Sequence, residues 1–305
     1  MTGTAGGGRE PVTTGGTIAL VNLDARIDGL AAQPLLLADL LLLRGHVLGR
    51  IADYERAAEL AERLARDTGG DGQALLARAR ARAAFHRFAD ALADLEAAAG
   101  RGVDRAALDA ERATVLQATG RHAQAGELHR RAARRQPGFA ALGALAVFHA
   151  ERGEVAAADG LFTAARHRYQ GTSPFPVASL DYRRALMWHA AGDLPAARTW
   201  LDASRRRVPA YAPALGLLAE TDTALGAHEA AIDRLRPLAA ASDDPGYAAR
   251  LAGALSAAGR PGEAGQWRAR AAARYDELEL RHPGAFAGHA ADFRRQAGQL
   301  HSAAG

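Results

Sequence analysis

The chain has no cysteine. Disulfides, cysteine-ligated zinc, iron–sulfur clusters and thiol catalysis are thereby excluded, and the redox compartment leaves no mark. It has no lysine either; every Lys/Arg position is arginine. A glycine-rich phosphate loop closing on lysine is therefore excluded. Asparagine occurs once, at Asn22, and aromatic residues make up only 6% of the chain. That is too few to interleave with the basic clusters as a single-strand stacking surface requires. Usage rich in Ala, Arg and Gly but poor in Lys and Asn points to a GC-rich, bacterial coding sequence. The formal charge of +4 is then partly codon bias, and nucleic acid is not expected as a partner.

Long apolar runs are also missing. "LLLADLLLL" at Leu35–Leu43 falls well short of the ~20 residues that span a bilayer. Met1–Gly16, "MTGTAGGGREPVTTGG", has neither the basic head nor the apolar stretch of a leader. A soluble, cytoplasmic chain is expected; a signal peptide already removed would leave no trace in these residues. No G-x-S-x-G occurs, and no His pair at i, i+4 flanks a Glu. Catalytic residues are not expected, and no cofactor or metal is assigned.

What is present is a period. Hydrophobic residues form 49% of the chain, mostly Ala and Leu, strong helix formers that point to an all-α fold. Ala57, Ala91, Ala125, Ala158, Ala197, Ala231 and Ala264 follow one another at gaps of 34, 34, 33, 39, 34 and 33 residues. Twelve residues before each stand Gly45, Ala79, Ala113, Ala146, Ala185, Ala219 and Ala252, again all small. Between the members of the last five pairs lie Gly120, Gly153, Gly192, Gly226 and Gly259. Each unit reads as two helices that meet at small residues and are joined by a turn in which glycine takes a positive φ. Pro137 and Pro209 close second helices. One such hairpin cannot bury its own apolar face, but stacking on the next can.

This pattern resembles the tetratricopeptide repeat (TPR) family. The resemblance implies an α-solenoid, a right-handed superhelix of about seven repeats with terminal capping helices. The repeats are expected over 38–278, beginning near Ala38, Gly72, Ala106, Phe139, Ala178, Ala212 and Pro245, with an insertion at 169–177. Residues 1–17 are expected to be a disordered Gly-rich terminus, 18–37 an N-terminal cap, and 279–305 a capping helix and tail. The first two repeats depart from the pattern, with Ala52 and His86 at the turn position. Asp109 and Asp181 stand where the family prefers a large apolar residue, with Leu108 and Leu180 beside them to take over that packing.

The resemblance implies a non-enzymatic scaffold or adaptor that holds a protein or peptide on the concave face lined by first helices. Carried over by position, the candidate binding residues are His46, Arg80, Gln117, Val147, Glu151, Tyr182, His189, Glu220 and Thr223. Small neighbours (Ala110, Gly143, Gly216, Ala249, Gly253) imply an open, shallow groove. The family's carboxylate clamp uses Lys and Asn, which this chain lacks there, although Arg can take a carboxylate bidentately. Alternatives are a ligand-sensing regulatory or biosynthetic accessory module, or a metal site among His122, His129, His149 and His189. The Arg clusters at 130–135, 166–168, 205–207 and 268–274 fall in the last turns of second helices, where cations complement the helix dipole.

Overall fold

The computed structural model describes residues 10–303, with side chains described through residue 295. Among the described residues there are sixteen helices and no strand. A leading helix α1 (Gly16–Gly29) is followed by seven pairs. These are α2 (Pro34–Leu48) and α3 (Ile51–Asp67); α4 (Gly72–Ala84) and α5 (Phe88–Ala98); α6 (Arg105–Ala118) and α7 (His122–Arg135); α8 (Phe139–Glu151) and α9 (Val155–His167); α10 (Phe175–Ala190) and α11 (Leu194–Arg207); α12 (Ala212–Ala224) and α13 (His228–Ala241); α14 (Pro245–Ala257) and α15 (Pro261–Arg281). The last helix among the described residues is α16 (Pro283–Ala303). None of these helices is long and apolar enough to cross a membrane.

The period is a packing rule made visible. All seven second-helix alanines are fully buried, and so are their seven small partners on the first helices. With no side chain beyond Cβ, such positions let backbones approach and leave Leu, Phe and Ile to fill the flanks. Gly120, Gly153, Gly192, Gly226 and Gly259 have φ of 75, 74, 81, 79 and 72°, the left-handed turn conformation. His86 occupies the same place in the second hairpin and takes it too, with φ 57°, alone among the described non-glycine residues. In the first hairpin the turn comes three residues early: Gly49 (φ 64°), not Ala52, ends α2.

Several expected boundaries move. The first hairpin starts at Pro34 rather than Ala38, and the seventh runs on to Arg281. The insertion is a loop over 168–174, and the fifth first helix gains a turn at its start, with Pro174 before it and Pro176 in its first turn. Residues 1–9 of the expected disordered terminus lie outside the described residues. Residues 10–15 are an ordered extended segment and α1 begins at Gly16, because arginine side chains and a loop carbonyl hold this stretch (below).

The chain divides into two compact units. The first contains the residues up to Asn22 and Leu116–Tyr211, the second Leu23–Val115 and Ala212–Gly305; the division falls within α1 and α6. Within the second unit, hairpins remote in sequence pack together: α12 lies against α2. The loop before α14 supplies what α3 lacks. Arg50, the residue capping α3, offers no side-chain acceptor. Instead the Asp243 carboxylate accepts from the amides of Ile51 (2.5 Å) and Ala52 (2.9 Å), so a residue nearly two hundred positions away satisfies two orphan donors of that helix. Ser242 donates to the Gly49 carbonyl, and Glu55 accepts from Arg281 and from His282 Nε2 (2.8 Å). The His282 ring stacks on Phe85 at 4.0 Å. Ile51, Phe85, Leu278 and Ala285 form an apolar seam with Tyr54, Ala58 and Phe286 against it.

A candidate binding cavity in the second unit

That docking leaves an open-mouthed cavity of about 820 Å³. Tyr54 of α3 and the Phe85–His86 turn form one side; Glu220 and Thr223 of α12, with Ala249, Arg250 and Gly253 of α14, form another. Tyr275 of α15 and Phe286, His289, Asp292 and Phe293 of α16 complete the lining. Small residues seat the helices against one another. A Cβ on Gly216 would stand 2.9 Å from both Tyr247 and Arg250, so α12 and α14 close on that glycine. Gly253, on the other hand, has nothing within 4 Å of where a Cβ would be. Of the small residues expected to leave a shallow groove, Gly143 and Gly216 are closed on by the neighbouring Leu180 and Tyr247, Ala110 is exposed, and Ala249 and Gly253 line the cavity.

Aromatic edges and acidic groups share the lining. Tyr275 and Phe293 lie with ring centroids 5.2 Å apart. Burial pushes the Tyr275 hydroxyl up to about 12, with the Asp244 charge adding to the effect, so it stays a neutral donor. Asp244 accepts from the Gly246 amide at 2.8 Å, capping α14; burial raises its pKa above the usual carboxylate value, opposed by that hydrogen bond and by Arg250 and His289. Arg250 pairs with Glu220 at 3.7 Å and leans over Tyr247 at 5.7 Å. Three carboxylates, those of Glu220, Asp244 and Asp292, thus face one guanidinium and two imidazoles. Carboxyl groups set on apolar walls are a chemistry that admits a cation with a hydrophobic stem.

Of the residues expected from sequence, Glu220 and Thr223 line this cavity. Arg80 does not; it bridges Asp39 (3.2 Å) and Glu111 (2.6 Å). His46 is half-buried on α2, outside the lining. The other five belong to the first unit. Gln117 Nε2 donates to Glu151 of the next first helix at 2.6 Å, and Gln117 Oε1 meets His129 Nε2 at 2.9 Å. Val147 packs on the Leu142–Phe162 core, Tyr182 stands edge-on to Tyr211 at 5.8 Å, and His189 is half-buried.

The histidines do not converge. His122 is exposed, His129 is buried with its pKa lowered by that burial, and His149 is engaged by Glu154. Among the described residues no three His, Asp or Glu side chains are placed to hold a metal ion. Several arginines of the clusters pair within the chain, Arg131 and Arg134 with Glu127, Arg205 with Asp202, Arg274 with Asp243 and Glu277. Sequence reasoning missed Tyr54, Phe85, Tyr275, His289 and Asp292, since positional equivalence selects only first-helix residues. His86, a side chain where the repeat calls for glycine, was the available signal.

No protein-family model and no curated protein matches the sequence. Solved structures do match the fold. The type IV pilus biogenesis factor PilW aligns with TM-score 0.53 at 18% identity, covering 70% of this chain and 94% of its own. A tetratricopeptide repeat protein from Parabacteroides merdae ATCC 43184 aligns with TM-score 0.50 at 11% identity, over 86% of this chain and 93% of that one. This is a tetratricopeptide-repeat fold. The same fold in the APC/C hetero-tetramer Cut9–Hcn1 aligns with TM-score 0.55 at 17% identity, over 82% of this chain and 55% of that one. At such identities the tetratricopeptide likeness speaks for the architecture, and the cavity lining must be read from this chain's own residues.

Proposed function

We propose that this protein is a non-enzymatic scaffold that takes a partner's peptide segment into the cavity of its second unit. The segment presents a Lys or Arg flanked by an aromatic or aliphatic side chain. The observation that carries this reading is the lining itself: Tyr54, Tyr275, Phe286 and Phe293 set beside Glu220, Asp244 and Asp292 on helices locked by small-residue packing. Aromatic walls supply area at little entropic loss, and the carboxylates select charge. Glu220 and Thr223 are the binding residues this reading retains from the first-helix set.

The volume also lies within the range of about 300–1,000 Å³ typical of small-molecule sites, which favours a ligand-sensing module as the second reading. One experiment separates them. Twelve-residue peptides are selected from a random display library on the immobilised full chain, then measured by calorimetry against wild type and Gly253→Phe. Position 253 is open, so the phenyl ring fills the cavity without forcing α14 aside. Enrichment of cationic–aromatic peptides whose binding falls at least tenfold in Gly253→Phe is the expected result. Peptides indifferent to the plug would remove the cavity as the site. No peptide enrichment, together with a small molecule that raises the melting temperature of wild type only, would favour the sensor.

A further inference from the structure

The first unit contains a second polar cleft, and part of the chain already lies in it. Arg166, at the end of α9, forms a fork with the Glu10 carboxylate, Nη2–Oε1 2.6 Å and Nη1–Oε2 3.2 Å. Arg207, the last residue of α11, joins it: Nη2 donates to the same carboxylate at 2.8 Å, while Nη1 reaches the Pro11 carbonyl (3.2 Å) and Thr13 Oγ1 (3.0 Å). The Thr14 amide donates to the Thr172 carbonyl of the inserted loop at 2.8 Å. A carboxylate, a main-chain carbonyl, a hydroxyl and a main-chain amide are therefore all read from one extended stretch.

The fork is built from below. Asp181, 1% exposed, holds Arg166 Nε at 3.1 Å and stands 4.0 Å from Arg207 Nε. This is the aspartate that departs from the repeat pattern. Leu180 beside it is buried as the apolar substitute, which frees Asp181 to orient two guanidinium groups. Its Oδ2 and Arg207 Nε are buried without a hydrogen-bond partner, facing each other at the 4.0 Å of that ion pair. A space of about 380 Å³ remains between residues 10–15 and Ala203, Arg206 and Arg207.

Part of the occupant is open to solvent. Pro11 is buried, but Val12 is 77% exposed and the Glu10 side chain 68% exposed. Apart from the Thr13 hydroxyl and the buried Pro11, its contacts are ones that an extended peptide with a suitably placed carboxylate reproduces.

We propose that the Arg166–Arg207 fork is a docking site for an extended acidic segment of a partner protein, of the form Glu-Pro-X-Thr-Thr, and that residues 10–15 are a built-in competitor that the partner displaces. A tethered segment competes at an effective concentration in the millimolar range. The site is therefore closed to weak ligands and open to a partner that adds contacts in the neighbouring space. This site is independent of the cavity in the second unit, and the Gly253→Phe plug leaves it unaffected.

The probe is a fluorescein-labelled peptide EPVTTGG, read by anisotropy against full-length chains. One is wild type; the other carries Glu10→Arg and Thr14→Pro, which unseat the resident segment by charge repulsion and by removing its amide donor. The unseated chain is expected to bind the probe at least tenfold more tightly than wild type. A probe with Gln in place of its Glu is expected to lose at least tenfold on the unseated chain, a control that needs no change to the fold. Arg207→Ala in the unseated background should lose as much. Equal affinity for both chains, or indifference to the Gln probe, overturns the proposal. Concentration-dependent dimerisation of wild type that the probe dissociates would place a second copy's segment in the fork, and overturns the partner assignment.

Discussion

Asp181 makes a sharp test of the physics under the arginine fork. Burial raises its pKa from 3.8 to about 6, even though Arg166 and Arg207 pull it down. The folded protein therefore holds this proton more tightly than the unfolded chain does. The stability it contributes is complete below about pH 3.8 and is lost as pH rises through about 6. One pKa unit corresponds to about 1.4 kcal/mol, so the interval sets a total near 3 kcal/mol, of which about 2–3 kcal/mol falls between pH 4 and pH 7. Asp181→Asn removes the titration while keeping an oxygen for Arg166 Nε. Any fixed penalty from the new amide is independent of pH and cancels in the comparison. The chain has three tryptophans; Trp188 and Trp200 lie in the first unit and Trp267 in the second. In a Trp267→Phe background, urea unfolding followed by fluorescence reports on the unit that contains Asp181. The unfolding free energy of the parent minus that of Asp181→Asn is expected to fall by about 2–3 kcal/mol from pH 4 to pH 7. A difference that stays flat, or that rises with pH, refutes the claim that burial outweighs the two arginines.

Three further outcomes follow from the packing. Gly49→Ala forces a side chain to φ 64° with its Cβ 2.5 Å from the Tyr247 ring; a loss of about 2 kcal/mol or more is expected in thermal unfolding, since the left-handed conformation alone accounts for about 1–2 kcal/mol. His86→Gly relieves the same conformation at the one described turn that lacks glycine and gives up a stack on Phe88 with centroids 5.1 Å apart; a net gain of about 0.5–1 kcal/mol is expected, and a loss would mean that the stack outweighs the strain. Asp243→Ala uncaps α3 from a distance and is expected to remove about 1–2 kcal/mol. Hydrogen exchange should then quicken at Ile51–Tyr54; exchange unchanged there would show that water caps the helix as well as Asp243 does.

The legible part of this protein was the part written within a single repeat. First helices expected at Gly72, Phe139, Ala212 and Pro245 begin at those residues, and α6 begins one residue before Ala106. The small-residue positions are buried as the spacing demands. Even the departures were informative: Leu180 takes over the core, and Asp181 turns to the arginines. The candidate site was less legible. Glu220 and Thr223 sit on first helices, the positions that equivalence selects, whereas Tyr275, His289 and Asp292 line the cavity from α15 and α16.

The sequence by itself determined the hairpins, their turns and the residues at which their helices touch. Those contacts close over some twelve residues, and local spacing encodes them directly. Only the tertiary structure decided that Asp243 would cap α3, that Glu55 would meet Arg281 and His282, and that residues 10–15 would lie beneath Arg166 and Arg207. These contacts join segments about 150 to 230 residues apart. Such pairs leave no periodic trace, because each partner is a single side chain whose use depends on where the small rotations from one repeat to the next bring it.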